Sequence, residues 1–171
     1  MLTEEDLAVL TKNKLKNNTM IKQILNKLLS TQDSVPLENR ISFKESMDLA
    51  ELPIVTFYQG NQKINFLLDS GSNNCIIDSN ILNKLDHTLL NMSTNLCGME
   101  GTDNVAQICS LETTYKDNIY KYAYIIQDMS VVFGKIKKDT GVTINGILGT
   151  KFFNDYKYVL DFDELIAYSK K

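Results

Sequence analysis

Arginine is almost missing from this 171-residue chain: of its 18 basic residues only Arg40 carries a guanidinium, set against 21 acidic residues and a net charge of −3. Phosphate recognition leans on clustered cations and on the forked guanidinium, so no nucleic-acid partner is expected. Long apolar runs are missing too. None approaches the ~20 residues of a bilayer-spanning helix, which excludes a transmembrane helix, and no membrane partner is expected. Cysteine is scarce and odd in number, with Cys75, Cys97 and Cys109 showing no paired spacing. A disulfide scaffold is therefore not expected, and free thiols in a reducing compartment fit better. Histidine occurs once, at His87. A thiol dyad of Cys75 with His87 lacks a third orienting group, and a zinc site built from the cysteines and His87 lacks any Cys-x-x-Cys pair. No metal and no cofactor are expected. The start, Met1-Leu2-Thr3-Glu4-Glu5-Asp6, is acidic and has neither the basic nor the apolar region of a signal peptide, from which a cytoplasmic protein is expected.

What is present is an apolar content of 43%, enough to bury one domain-sized core. Two patterns divide the chain. Residues 1–50 read as an N-terminal helical arm and connector. Thr3 and Asp6 form a variant capping box before Leu7 and Leu10, and Met20, Ile21, Ile24, Leu25 and Leu28 repeat at helical spacing, predicting an amphipathic helix from about 19 to 30. Its apolar stripe would pack on its own domain, on a twin chain or on a separate partner. The stretch around Pro36 reads as a connector.

Residues 51–171 change to a period of two. Ile54 to Tyr58 and Lys63 to Leu68 flank a Gln59-Gly60-Asn61 turn and predict a hairpin. Cys75-Ile76-Ile77 predicts a short strand, and Ser79 can cap a short helix carrying Ile81, Leu82 and Leu85. A second hairpin turns at Lys116-Asp117-Asn118 between the alternating runs 109–115 and 120–126. Gly146-Ile147-Leu148-Gly149 predicts another strand, with Thr150 capping a helix through Phe152 and Phe153. Two last strands, at 158–160 and 165–168, flank Asp163-Glu164. Many short strands with a few minor helices predict a mainly β fold closed, or nearly closed, into a barrel. Lys135, Lys137 and Lys138 read as a solvated loop.

The segment Ile64-Asn65-Phe66-Leu67-Leu68-Asp69-Ser70-Gly71-Ser72 is the sharpest chemical feature. A hydrophobic strand ends in a carboxylate, a hydroxyl and a glycine. Such a strand delivers Asp69 from a rigid element into a tight turn, where Gly71 frees the backbone and Ser70 offers a supporting hydrogen bond. An Asp-Ser-Gly triplet is also ordinary turn chemistry, so its residues alone leave both readings open.

Taken with Val142-Thr143-Ile144-Asn145-Gly146-Ile147-Leu148-Gly149-Thr150 downstream, the Asp69 turn resembles the retropepsin-like aspartic proteases, whose members carry Asp-[Thr/Ser]-Gly early and Gly-Ile-Leu-Gly late. The likeness runs from about Pro53 to Tyr168 and includes the strand Asn74-Cys75-Ile76-Ile77, a glycine-bearing segment Cys97-Gly98-Met99-Glu100-Gly101 at the place of the family's flap, and a terminal strand Val159-Leu160-Asp161-Phe162. The resemblance implies a retropepsin-like closed β-barrel with one lobe per chain, and an aspartic endopeptidase in which two chains meet about a twofold axis, each supplying Asp69. The two carboxylates would share a proton and activate a water against the scissile carbonyl of a peptide or protein substrate. Ser70 would brace the turn across the dimer, and Gly71 would let the substrate backbone approach. Ser72, Gly98, Met99, Gly101, Gly146 and Ile147 would line the flap and cleft. Serine at 70 lacks the methyl of the commoner threonine. The alternative is a β-barrel dimerisation or peptide-binding module that keeps the turn for structure and cuts nothing. A second triplet, Asp139-Thr140-Gly141, follows the charged run 134–138, which is unfit for a buried strand, and is expected in a surface turn.

Overall fold

From Ile54 onward the alternation of apolar and polar residues is realised as hydrogen-bonded strands. A computed structural model describes residues 39–97 and 103–170, all within one unit, Val35–Lys171. The helix expected near 19–30 and the residues expected in a flap, Gly98, Met99 and Gly101, lie outside the described residues.

The strands, in chain order, are β1 (Ile41–Ser42), β2 (Ile54–Gln59), β3 (Gln62–Leu68), β4 (Ile76–Asp78), β5 (His87–Cys97), β6 (Asp103–Tyr115), β7 (Asn118–Gln127), β8 (Gly146–Leu148), β9 (Tyr158–Asp161) and β10 (Ile166–Ser169). Helices α1 (Lys44–Ala50), α2 (Ser130–Thr140) and α3 (Thr150–Asp155) and a 3-10 helix (Ser79–Lys84) lie between them. The main sheet runs β2-β3-β8-β4-β7-β6-β5, and a further pairing of β2 with β6, Tyr58 opposite Thr114, closes six of its strands into a mixed barrel. Closure removes the edges that an open sheet would expose. A small sheet, β1-β10-β9, forms beside it.

Period-two patterning decides which side of each strand is buried. Along β3, Ile64, Phe66 and Leu68 point into the barrel, and Phe57 of β2 and Leu111 of β6 join them. Tyr120 and Tyr124 of β7 are core rings: Tyr120 stacks on Phe57 at 4.8 Å between centroids and Tyr124 on Phe66 at 5.5 Å. Offset stacking adds specific geometry to a large apolar burial. A second cluster, Ile54, Met129, Phe133, Ile144 and Ile147, occupies the other face of the β3-β8-β4 strip, under α2.

Several elements differ from their sequence expectation. Residues 41–50, expected in the arm and connector, supply β1 and α1, with Ile41 and Phe43 buried in the main core. Their signal is weak because β1 is only two residues long and takes its pairing from β10, near the far end of the chain. The lysine run expected as a loop is α2. Met129, Phe133 and Ile136 fall at helical spacing on its inner side, while Lys135, Lys137 and Lys138 are exposed. Asp139 is exposed too, but in the last turn of that helix, ahead of Gly141 at φ +78°, instead of in a free turn. Strand β5 carries no clean alternation and exists because β6 pairs with it along a bulged register. Asp78, not Ser79, caps the 3-10 helix through the Asn80 amide. Thr150 does not cap α3; its hydroxyl goes elsewhere, as described below.

Candidate active site

Leucine and phenylalanine along β3 bury the strand, and the chain leaves it at Asp69. The next residues cannot continue in the sheet, because β8 already occupies the neighbouring place. β8 pairs parallel to β3, Leu68 opposite Leu148, and antiparallel to β4, Ile76 opposite Ile147. The segment from Asp69 to Cys75 therefore arches over the end of β8 before returning as β4.

Backbone bonds fix that arch. The Asp69 amide donates to the Leu148 carbonyl at 3.0 Å, and the Ser72 amide to the Asp69 carbonyl at 3.2 Å. On the far side, the Ser72 carbonyl accepts both the Thr150 amide at 2.8 Å and the Thr150 hydroxyl at 3.2 Å. The Ser72 hydroxyl donates to the Asn74 carbonyl at 2.9 Å, and Lys151 Nζ donates to Asn74 Oδ1 at 2.8 Å. Beneath the arch, the Gly149 amide contacts Cys75 Sγ at 3.4 Å. Burial pushes that thiol up to about 11, so Cys75 is a neutral packing group at physiological pH.

Two glycines permit the close approach. A methyl on Gly149 would sit 2.6 Å from the Ser72 carbonyl oxygen, and one on Gly146 would sit 2.6 Å from the Ile76 carbonyl oxygen and 2.8 Å from the Phe66 ring. Neither place has room for a side chain.

The Asp69 carboxyl is half-buried at the head of the arch. Its Oδ1 accepts the Gly71 amide at 2.8 Å, and Oδ2 has no partner among the described residues. Gly71 lies close beneath, where a methyl would be 3.2 Å from Oδ1. Ser70 is exposed, and its hydroxyl makes no bond to a described residue. A carboxylate held by one oxygen and open at the other can accept a proton from a water or share one with a second acid.

Asp69, Ser70, Gly71 and Ser72 thus come together at one place, with Ser72 spending its hydroxyl and carbonyl on holding the loop. Gly146 and Ile147 are placed otherwise than at an open cleft. Gly146 is buried against Phe66, and Ile147 packs with Met129 and Phe133 beneath α2. The reason is the alternation of β8, whose Leu148 faces the barrel core and whose Ile147 faces the helix. Thr150, Lys151 and Asn74 brace the arch and had no signal of their own in the sequence beyond their nearness to the two glycine-bearing motifs. His87 stands at the start of β5 with Nδ1 2.9 Å from the Leu85 carbonyl, and among the described residues no group of three or more His, Cys, Asp or Glu is placed to hold a metal ion.

The turn from Asp69 thus crosses over the Gly146–Gly149 segment of a barrel closed by six strands. The chain is similar to the retroviral protease-like domain of Ddi1 from Leishmania major, with 11% identity over 70% of this chain and 89% of that one and a TM-score of 0.46. It is also similar to a retropepsin-like aspartic protease from Rickettsia conorii, with 16% identity over 76% of this chain and 91% of that one and a TM-score of 0.40. No protein-family model and no curated protein sequence matches it.

Proposed function

We infer that the chain is an aspartic endopeptidase that works as a homodimer, with Asp69 of each copy meeting across a twofold axis. One observation carries the reading: Asp69 is delivered by a core strand, oriented through Oδ1 by the Gly71 amide, and left with Oδ2 unpartnered among the described residues. The Gly71 bond is that of an Asx turn, and the open Oδ2 leaves the same carboxyl able to exchange a proton with a water or a second acid. The chain's second signature-like triplet, Asp139-Thr140-Gly141, supports a two-chain site by elimination, since Asp139 is an exposed residue at the end of α2. The free Ser70 hydroxyl is available to the partner's turn.

In the dimer one Asp69 is ionised and the other protonated, because two carboxylates in contact do not both ionise cheaply. A water between them gives a proton to the ionised carboxylate as its oxygen bonds to the scissile carbonyl carbon. The protonated carboxyl gives its proton to the carbonyl oxygen. The resulting gem-diol collapses with cleavage of the C–N bond. One hydroxyl proton passes to the carboxylate now ionised while the carboxyl that took the water's proton gives it to the departing nitrogen, yielding a carboxylic acid and an amine with no covalent enzyme intermediate. The buried free thiols Cys75 and Cys109 accord with a cytoplasmic setting.

The deciding experiment is cleavage of an unstructured protein or a peptide library by the purified full chain from acidic to neutral pH. Asp69→Asn is expected to lower cleavage by at least about 10³-fold while sedimentation shows the same dimer. A substituted protein that cleaves as well as the parent overturns the assignment. A stable dimer that binds peptides and cuts none under any of these conditions favours a peptide-binding module instead.

A further inference from the structure

A cavity of about 510 Å³ opens at the opposite end of β3 from Asp69, between the start of that strand, the 3-10 helix, α2 and the segment leading into β8. Lys63 on β3 and Asp69 just past its end are six residues apart in sequence, so the strand separates them by roughly 20 Å. The cavity's volume falls within the range of small-molecule sites.

Its lining is unusual in charge. Lys63, Lys84 and Lys137 come from three different elements and converge on one opening. None of their ammonium groups has a partner among the described residues. A single carboxylate, Asp78, also lines the space, and its Oδ1 already accepts the Asn80 amide at 3.2 Å, Asn80 Nδ2 at 2.9 Å and the Met129 amide at 3.3 Å. The next carboxylate outward, Asp128, is likewise engaged, by Ser130 and by Asn80. Three unpaired cations therefore face one carboxylate, which still carries its charge, for a local excess of positive charge. Asn145 adds a donor: its Oδ1 takes the Asn65 amide at 2.9 Å, which leaves its side-chain NH₂ with no described acceptor.

Gln62, Asn65, Asn80, Ser130 and Thr143 make much of the remaining lining polar, and an apolar part of the wall stands beside them. Ile81, Phe133 and Ile144 are each less than a tenth exposed and contribute to the cavity wall. Apolar surface beside convergent cations selects a ligand with both characters.

We propose that this cavity is a binding site for a small organic anion, one with an apolar or aromatic body against Phe133 and its carboxylate or phosphate group among Lys63, Lys84 and Lys137. The site is independent of the proteolytic reading, because none of its residues belongs to the Asp69 arch.

Phenyl phosphate, phenylacetate and the neutral benzyl alcohol serve as probes, titrated into the full chain at low salt by calorimetry and by amide chemical shifts. At least one of the two anions is expected to saturate, with shifts centred on residues 62–65, 78–84 and 143–145, and which anion does so identifies the acid group. The combined variant Lys63→Gln, Lys84→Gln, Lys137→Gln is expected to weaken that binding by about tenfold or more. A control pair on the same helix, Lys135→Gln with Lys138→Gln, is expected to leave it within about twofold. All five lysines are exposed, so these variants are expected to fold. The proposal is overturned if neither anion saturates, if benzyl alcohol binds as well as the anions, or if the control pair weakens binding as much as the triple variant.

Discussion

The backbone amide of Asp69 and the carbonyl of Leu148 meet at 3.0 Å, joining the end of β3 to the end of β8. Through that bond the carboxylate-bearing turn rests on a strand that belongs to the second half of the chain. The Ser72 carbonyl repeats the tie two bonds over, to Thr150. The acid is therefore positioned by two segments distant in sequence, and changes in either one should be felt at its carboxyl.

Gly71→Ala tests the nearest of these supports. The added methyl would lie 3.2 Å from Asp69 Oδ1, and Gly71 is exposed, so crowding falls on the carboxylate and not on the core. Catalytic efficiency is expected to fall by about 10²-fold, as a displacement of the order of an ångström does elsewhere. Stability should change by less than about 1 kcal/mol. Measuring kcat/KM beside the urea midpoint separates the two, and an unchanged kcat/KM contradicts the expectation.

Gly149→Ala acts from below. Its methyl would sit 2.6 Å from the Ser72 carbonyl oxygen, a backbone atom that cannot swing aside. A loss of about 1–3 kcal/mol is expected, together with a loss of cleavage as the arch lifts. Gly134→Ala is the contrast. It stands within α2 with nothing within 4 Å of the new methyl, and should stabilise the chain by about 0.5–1 kcal/mol. Denaturant unfolding of both variants checks the difference in sign.

Tyr124→Phe removes a hydroxyl that is fully buried and has no hydrogen-bond partner among the described residues. The substitution is expected to leave stability unchanged or to raise it by up to about 2 kcal/mol. Tyr122→Phe removes a hydroxyl that donates to Asp155 Oδ2 at 2.7 Å and should cost about 1 kcal/mol. Calorimetric unfolding of the two variants tests whether neighbouring tyrosines of one strand respond in opposite directions.

Alkaline pH should destabilise the fold. Burial pushes the Cys75 and Cys109 thiols from 9.0 up to about 11, and the Tyr120 phenol from 10.0 up to about 12. Between those values the folded chain holds protons that the unfolded chain has released. Their stabilising effect is complete below pH 9 and is lost as pH rises toward 11 and 12. The urea midpoint should fall across that window, and Cys109→Ala should make the fall shallower from a lower starting value. A midpoint that stays level to pH 11 is inconsistent with it.

The barrel was legible where burial is one-sided. β3, β6 and β7 bury alternate residues, so their composition carries the period of two, and the hairpin turns at Gly60 and Lys116 are spelled locally. Strand β5 was not legible, since it borrows its conformation from its partner. Helix α2 was hidden because only Phe133 within it is buried, while exposed Val131 and Val132 and three lysines on its outer surface blur the helical period.

The same contrast holds at the site. Local chemistry alone determined that Asp69 would end a core strand, that Gly71 would follow it in a tight turn, and that a glycine would stand at each end of Ile147-Leu148. Only the tertiary structure decided that the arch lies on Gly149, that Ile147 turns away beneath α2, and that three lysines from separate elements face one cavity. Short-range order follows from each residue's own steric and polar demands. Which distant segments share a surface is fixed by closing the barrel, and no local pattern encodes that closure.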